Sequence, residues 1–301
     1  MKTDPADVNR IAQVYYLENF KSNVPLESHI LELRNLSRQY IRFVNLYTET
    51  QNQLTSILDL VFPHFGQVFS HIRGKTALNV LSLFPTPESI ISASREDLID
   101  ALKPAKKTKE WYEIKADLLI QAARDSVPDT LGSFSNVSAL NNYIEMLKHQ
   151  QKILLDIKQQ MLFWAKQSPY YDLLLSIPGI GELTAMTILA EIGDIKKFPT
   201  SKQLVAFAGL DPSVFESGKF KASHSKISKR GSTYLRRALY QSTVAGISNR
   251  VGGPVNEVLY SFYSKKLAEG KPSKVAIIAT SNKLLRIIFG VLKNNQPFEV
   301  K

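Results

Sequence analysis

The apolar positions of this chain recur mostly at intervals of three and four residues, the spacing of helical stripes. Asp4-Pro5 makes a good helix start, with proline at the first helical position, and Ile11, Val14 and Tyr15 follow at helical spacing until Pro25 breaks the run. From Leu26 to about Phe62, the residues Ile30, Leu33, Tyr40, Val44, Tyr47, Leu54 and Leu58 fall close to a heptad seam, with Gln51 as a polar interruption. A second long helix is predicted from about Ser138 to Lys166, where Leu140, Ile144, Leu147, Leu154 and Met161 alternate at four and three around Gln151 and Lys158. Stripes of this length cannot be buried alone, so the two long helices are expected to pair as an antiparallel coiled coil, within a protomer or between protomers.

Short helices are expected between Pro63 and Pro104, around FGQVFSHI, TALNVLSLF and EDLIDAL. Thr86-Pro87-Glu88-Ser89 and Ser94-Arg95-Glu96-Asp97 read as helix starts. A further helix runs from about Thr108 to Arg124, and the polar stretch DSVPDTLGSFSN reads as a linker. After Ser168-Pro169 the pattern predicts helices at 171–176, 182–194, 200–207, 232–248, 254–267 and 273–294. One short β-hairpin is expected around Phe215 to Ser223, with Ser217-Gly218 in its turn. The strands are too few for an α/β sheet, so the predicted fold class is mainly α.

Composition narrows this picture. At 301 residues the chain is long enough for two or three domains. The absence of cysteine excludes disulfides and thiolate metal sites and suits a cytoplasmic location. The opening MKTDPADVNR lacks the apolar core of a signal peptide, and no long uninterrupted apolar run predicts a membrane span. The net charge of +11 is unevenly placed: residues 1–168 carry 19 Lys/Arg against 18 Asp/Glu, and residues 169–301 carry 19 against 9. A basic C-terminal half joined to a neutral N-terminal half is the electrostatic footprint of a polyanion-binding domain.

Three constellations could carry chemistry. Ile177-Pro178-Gly179-Ile180-Gly181, followed by Thr184-Ala185, fits a helix-hairpin-helix. Its glycines permit a tight turn close to a phosphate, and the next helix offers unpaired N–H groups and a positive dipole end. Contacts there, through Pro178, Gly179 and Gly181, would carry no sequence information; a purely structural αα-turn is the alternative. The segment from Gly209 to Arg237 holds seven cations, Lys219, Lys221, Lys226, Lys229, Arg230, Arg236 and Arg237, against Asp211 and Glu216. Ser217, Ser223, Ser225, Ser228 and Ser232 lie among them, Ser232 in position to cap the following helix. A serine beside glycine in a basic loop could attack phosphorus with the cations stabilising the developing charge, although composition alone favours a solvated binding loop. His224 in the same loop reads as a phosphate contact or a bystander. Lastly, Asp4 and Asp7 stand one helical turn apart and could ligate Mg²⁺, or simply satisfy a helix N-terminus. The late stretch GKPSKVAIIATSNKLLRIIFGVL reads as a core helix with Lys271, Lys274 and Arg286 on its polar side.

Taken together, KTDPADVNRIA, LSLFPTPESI, SIPGIGELTAMTILAEIGDI, FAGLDP, ESGKF, ISKRGSTYLRRALY and GKPSKVAIIATSNKLL resemble the insertion-sequence transposases of the IS110/IS116/IS902 group along nearly the whole chain. The resemblance implies a RuvC-like domain with a Mg²⁺-binding DEDD site, a coiled-coil segment and a C-terminal domain with a catalytic serine. It implies DNA as partner, a guide RNA for at least some members, and excision and insertion of a mobile element. Asp4 and Asp7 match the last two acids of DEDD, and Ser217 in ESGKF matches the serine nucleophile. The resemblance therefore divides the chain into a RuvC-like remnant at 1–24, a helical coiled-coil segment at 25–168 and a DNA-binding transposase domain at 169–301, with a homo-oligomer formed through the coiled coil. The family's opening GIDVSK-like strand and a later glutamate have no counterpart here, so the expectation is a truncated chain that binds DNA and is incomplete for catalysis. The alternatives are a non-catalytic nucleic-acid-binding relic or regulator and an unrelated helix-hairpin-helix repair factor.

Overall fold

The computed structural model describes residues 26–127, 133–212 and 227–299, the strand residues 216–217 and 220–221, and five positions before residue 20. Among these residues the chain is mainly α, with thirteen α-helices and two two-stranded hairpins. The chain divides into two compact units, Arg34–Lys166 and Met1–Leu33 with Gln167–Lys301.

The unit Arg34–Lys166 is built on two long helices. The first is α1 (Ser28–Val61), most of which belongs here, and the other is α7 (Ser133–Ala165). Between them lie α2 (Phe65–Val68), α3 (Lys75–Leu83), α4 (Pro87–Ser92), α5 (Arg95–Leu102) and α6 (Lys109–Asp125). Leu54, Leu58 and Val61 of α1 share one core with Leu140, Ile144 and Leu147 of α7, as the heptad seams predict. Gln151 Nε2 donates to Tyr47 Oη at 2.7 Å and Gln150 Nε2 to Thr50 Oγ1 at 3.1 Å. Partners that rise along α1 fall along α7, so the helices run antiparallel within one protomer. Helices α4, α5 and α6 start where polar residues in the sequence predict. Thr86 and Ser89 form a reciprocal capping box, Ser94 accepts from the Asp97 amide and Thr108 from the Trp111 amide. One boundary differs from expectation: α7 begins at Ser133, so the end of the predicted linker is helical.

The other unit is organised on α13 (Ser273–Asn294), which packs against α8 (Tyr170–Leu175), α10 (Ser201–Ala208), α11 (Thr233–Gly246) and α12 (Glu257–Ala268). By length and composition α13 is apolar enough to cross a membrane. Here it lies in a core, with Leu284, Leu285 and Ile288 fully buried and Ser281 Oγ paired to Thr243 Oγ1 at 2.9 Å. Its internal Thr280 and Ser281 hydroxyls bond the carbonyls one turn back, which removes the cost of burying them. The helix α9 (Glu182–Ile192) is buried from Ala185 onward and packs on α8 and α11. Two hairpins complete the unit. Strand β1 (Glu216–Ser217) pairs with β2 (Phe220–Lys221), and β3 (Asn249–Arg250) with β4 (Gly253–Pro254). The sequence predicted only the first, and it ran the 254–267 helix into what is β4. That helix instead begins at Glu257, where the Asn256 side chain caps it.

Candidate nucleic-acid interface

The basic loop rises from a stalk whose two sides come from the end of α10 and the approach to α11. Helix α10 stops at Gly209, whose φ of 66° is the left-handed conformation that glycine adopts without strain. Past it, Pro212 bridges Ile227 in antiparallel fashion, the Ser228 amide donates to the Asp211 carbonyl at 2.8 Å, and the Lys229 amide donates to the Gly209 carbonyl at 3.1 Å. The Ser228 hydroxyl adds a 2.5 Å bond to Asp211 Oδ1, so Asp211 holds both backbone and side chain of the returning strand. A Cβ on Gly231 would lie 1.8 Å from the Phe207 carbonyl oxygen, so only glycine lets the two sides meet this closely. The segment between Asp211 and Ser228 is thus clamped at its base, and within it the Cα of Ser217 pairs with that of Phe220. Ser217 ends strand β1 rather than occupying the turn, a one-residue change from the expected register.

The cations fall into distinct classes. Lys229 and Arg230 at the stalk and Arg237 on α11 are exposed. Arg236 is half-buried, and its Nη1 donates to the carbonyls of Ala208 and Gly231 at 3.1 and 2.7 Å, tying α10 to the loop's return. Lys219 and Lys226 lie outside the described residues, as do Ser223, His224 and Ser225, and for Lys221 only the strand position is described.

In the Pro178 turn the two glycines serve different ends. Gly179 has a φ of 100°, and a Cβ there would come within 2.6 Å of Gly246 Cα on α11. It faces inward, and the Pro178 carbonyl accepts from Asn256 Nδ2 at 3.0 Å. Gly181 is exposed, with open space where a Cβ would stand, and its amide donates to Thr184 Oγ1 at 3.0 Å. Glu182 occupies the first turn of α9, so a carboxylate already faces that dipole end. Below the turn, Tyr171 is buried, and that burial, then the nearby Glu182 and Asp172 carboxylates, push its phenol above the usual tyrosine value.

Sequence reading missed the polar groups that join these parts. Glu191 is a buried carboxylate in the apolar run of α9, and it accepts from Ser232 Oγ at 2.8 Å. Ser232 also accepts from the Leu235 amide at 3.2 Å, the cap its position predicted. A lone acid inside TILAEI was the available signal for a buried polar contact. Asp4 and Asp7 lie outside the described residues, and among the described ones no three His, Cys, Asp or Glu side chains converge as a metal site.

The model of the transposase IS116/IS110/IS902 family matches residues 171–258, which include both hairpins, and a DEDD transposase model of the IS110 type matches residues 1–63. The pilin gene-inverting protein of Moraxella bovis is 25% identical over 283 residues, covering 85% of this chain and 86% of that protein. The transposase for insertion sequence element IS1111A of Coxiella burnetii is 33% identical over 197 residues, covering 65% of this chain and 51% of its own length. The insertion element IS110 uncharacterized 43.6 kDa protein of Streptomyces coelicolor is 24% identical over 264 residues, covering 84% of this chain and 60% of that protein. The chain thus spans most of the pilin gene-inverting protein and between half and three-fifths of these two insertion-element proteins. With the basic hairpin module and an N-terminal DEDD segment both matched in order, the chain belongs to the IS116/IS110/IS902 family of insertion-sequence transposases.

Proposed function

We propose that this chain performs the DNA-cleaving and rejoining step of transposition with Ser217 as nucleophile. The Ser217 oxygen attacks a backbone phosphorus, a serine–phosphate ester forms, and the P–O bond to one deoxyribose breaks. The proton given up by the serine ends on the departing deoxyribose oxygen. The phosphodiester energy stays in the ester, so a second deoxyribose hydroxyl can reverse the step and join new ends. Lys229 and Arg230 supply positive charge close to the stalk from which this loop rises. The observation that supports the reading is the clamp at Asp211 and Ser228, which joins the two ends of the segment that contains Ser217 within the family's matched region.

Mg²⁺, implied by the DEDD relationship, would be held in part by Asp4 and Asp7 and would stabilise charge on the phosphate. A guide RNA and a homo-oligomer through the long helices are further partners under this proposal. The test is strand transfer on element-end DNA with Ser217→Ala beside Ser228→Ala. The expected result is loss of strand transfer to background with Ser217→Ala and retention of DNA binding. Unchanged strand transfer would remove Ser217 as nucleophile. DNA binding with no strand transfer by the unaltered chain would favour a binding-only regulator.

A further inference from the structure

We infer that the second hairpin, β3–β4, is a separate DNA contact in which Arg250 meets a phosphate and Val251 is an apolar wedge against the bases. The inference rests on the DNA-handling reading and extends it to residues outside the serine loop. A single exposed valine is ordinary on a protein surface. This one differs in three respects that act together.

The first is its presentation. Val251 is fully exposed at the tip of a two-residue turn, between Arg250 and the positive-φ Gly253 that closes the ribbon. The fold gains nothing from burying it.

The second is the rigidity beneath it. The Val255 amide donates to the Ser248 carbonyl at 3.0 Å and the Asn256 amide to the Gly246 carbonyl at 2.8 Å. Asn256 is 2% exposed, and its side chain both donates to the Pro178 carbonyl and accepts from the Leu259 amide. A ribbon held this way keeps its shape before binding, so seating it loses little conformational entropy.

The third is charge. From Ser217 through Asn256 the sequence contains eight lysines and arginines and no aspartate or glutamate. Helix α11 lies inside that acid-free tract, with the stalk of the serine loop at its N-terminal end and β3–β4 at its C-terminal end. Its 14 residues measure about 21 Å at 1.5 Å each, the length of about six base pairs. Between the two hairpins it exposes Arg237, Tyr240, Gln241 and Val244, a mixed cationic, aromatic and amide face. A polyanion laid along this face meets no acidic side chain from within that tract. Apolar side chains that enter between base steps, flanked by cations on the phosphates, are a known means of gripping and bending a duplex.

The experiment compares the unaltered chain with Arg250→Ala, Val251→Ser and the double variant, using a short duplex of arbitrary sequence. It reads Kd across salt concentrations and DNA bending by end-to-end energy transfer. Unchanged thermal unfolding of each variant confirms intact folding, as expected for exposed tip positions. Arg250→Ala should weaken binding and lower the salt slope by about 0.9, the loss of one phosphate contact. Val251→Ser should weaken binding roughly fivefold and reduce bending while leaving the salt slope unchanged, as loss of an apolar contact requires. If the unaltered chain binds the duplex and all three variants match it in Kd, slope and bending, the hairpin is not a contact and the inference falls alone. If the unaltered chain fails to bind duplex at any salt concentration, both the inference and the DNA-handling reading fall.

Discussion

Gly179 and Gly181 show how one motif can contain a structural residue and a candidate binding residue side by side. Both were legible as backbone specialists, because Pro-Gly-Ile-Gly between apolar runs marks a tight turn. Their difference was not legible, because it depends on Gly246, far along the chain, packing against Gly179. Gly179→Ala should destabilise its unit by about 3 kcal/mol or more, since it adds a Cβ both at positive φ and into a 2.6 Å contact. Gly181→Ala should change stability by less than about 1 kcal/mol, because the added methyl meets open space. Denaturant unfolding of the two variants checks this, and only the second is a fair probe of phosphate binding. Tyr171 gives a pH signature at the same scale. Its raised folded-state pKa means stability is fully present below the unfolded tyrosine value of about 10 and is lost as pH rises through the folded value. Tyr171→Phe should therefore lose less stability than the unaltered chain between neutral pH and the alkaline range above 10, measured as the difference in unfolding midpoints.

Among the elements, the long helices were readable because each repeats one pattern over many turns, and the structure carries that seam into a shared core. Leu147→Ala should cost about 2–5 kcal/mol in chemical unfolding, with the loss confined to the unit Arg34–Lys166. A loss below about 1 kcal/mol would mean that the α1–α7 seam is not a core. Polar caps were equally readable at Thr86, Ser94, Thr108 and Ser232, since a cap needs only local residues. The start of α7 was placed late because Gly132 and the serines after it look like linker, while helix formation there is decided by packing further along. The β3–β4 hairpin escaped because two-residue strands carry no alternation to detect, and what fixes them is the distant Asn256–Pro178 bond.

At the scale of the whole molecule, charge and motif order carried most of the functional signal. Residues 1–168 are nearly balanced and residues 169–301 hold the excess of cations, which places the candidate chemistry in the unit that also contains both hairpins. Family membership was legible because seven motifs keep their order along the chain, and the two family models match the regions that hold five of them. The division of labour within the basic loop was not legible. Arg236 and Lys229 look alike in sequence, yet one bonds the carbonyls of its own fold and the other faces solvent. The clamp from Asp211 to Ser228 could not be read either, because it joins two loop ends that only tertiary structure brings together. The most direct measurement on the central claim is to trap the reaction on end-labelled element DNA with Mg²⁺, digest the protein, and identify by mass spectrometry the peptide that carries the nucleotide. The account predicts a phosphodiester on Ser217. A nucleotide on any other serine, or strand transfer that proceeds with no covalent adduct, would contradict it.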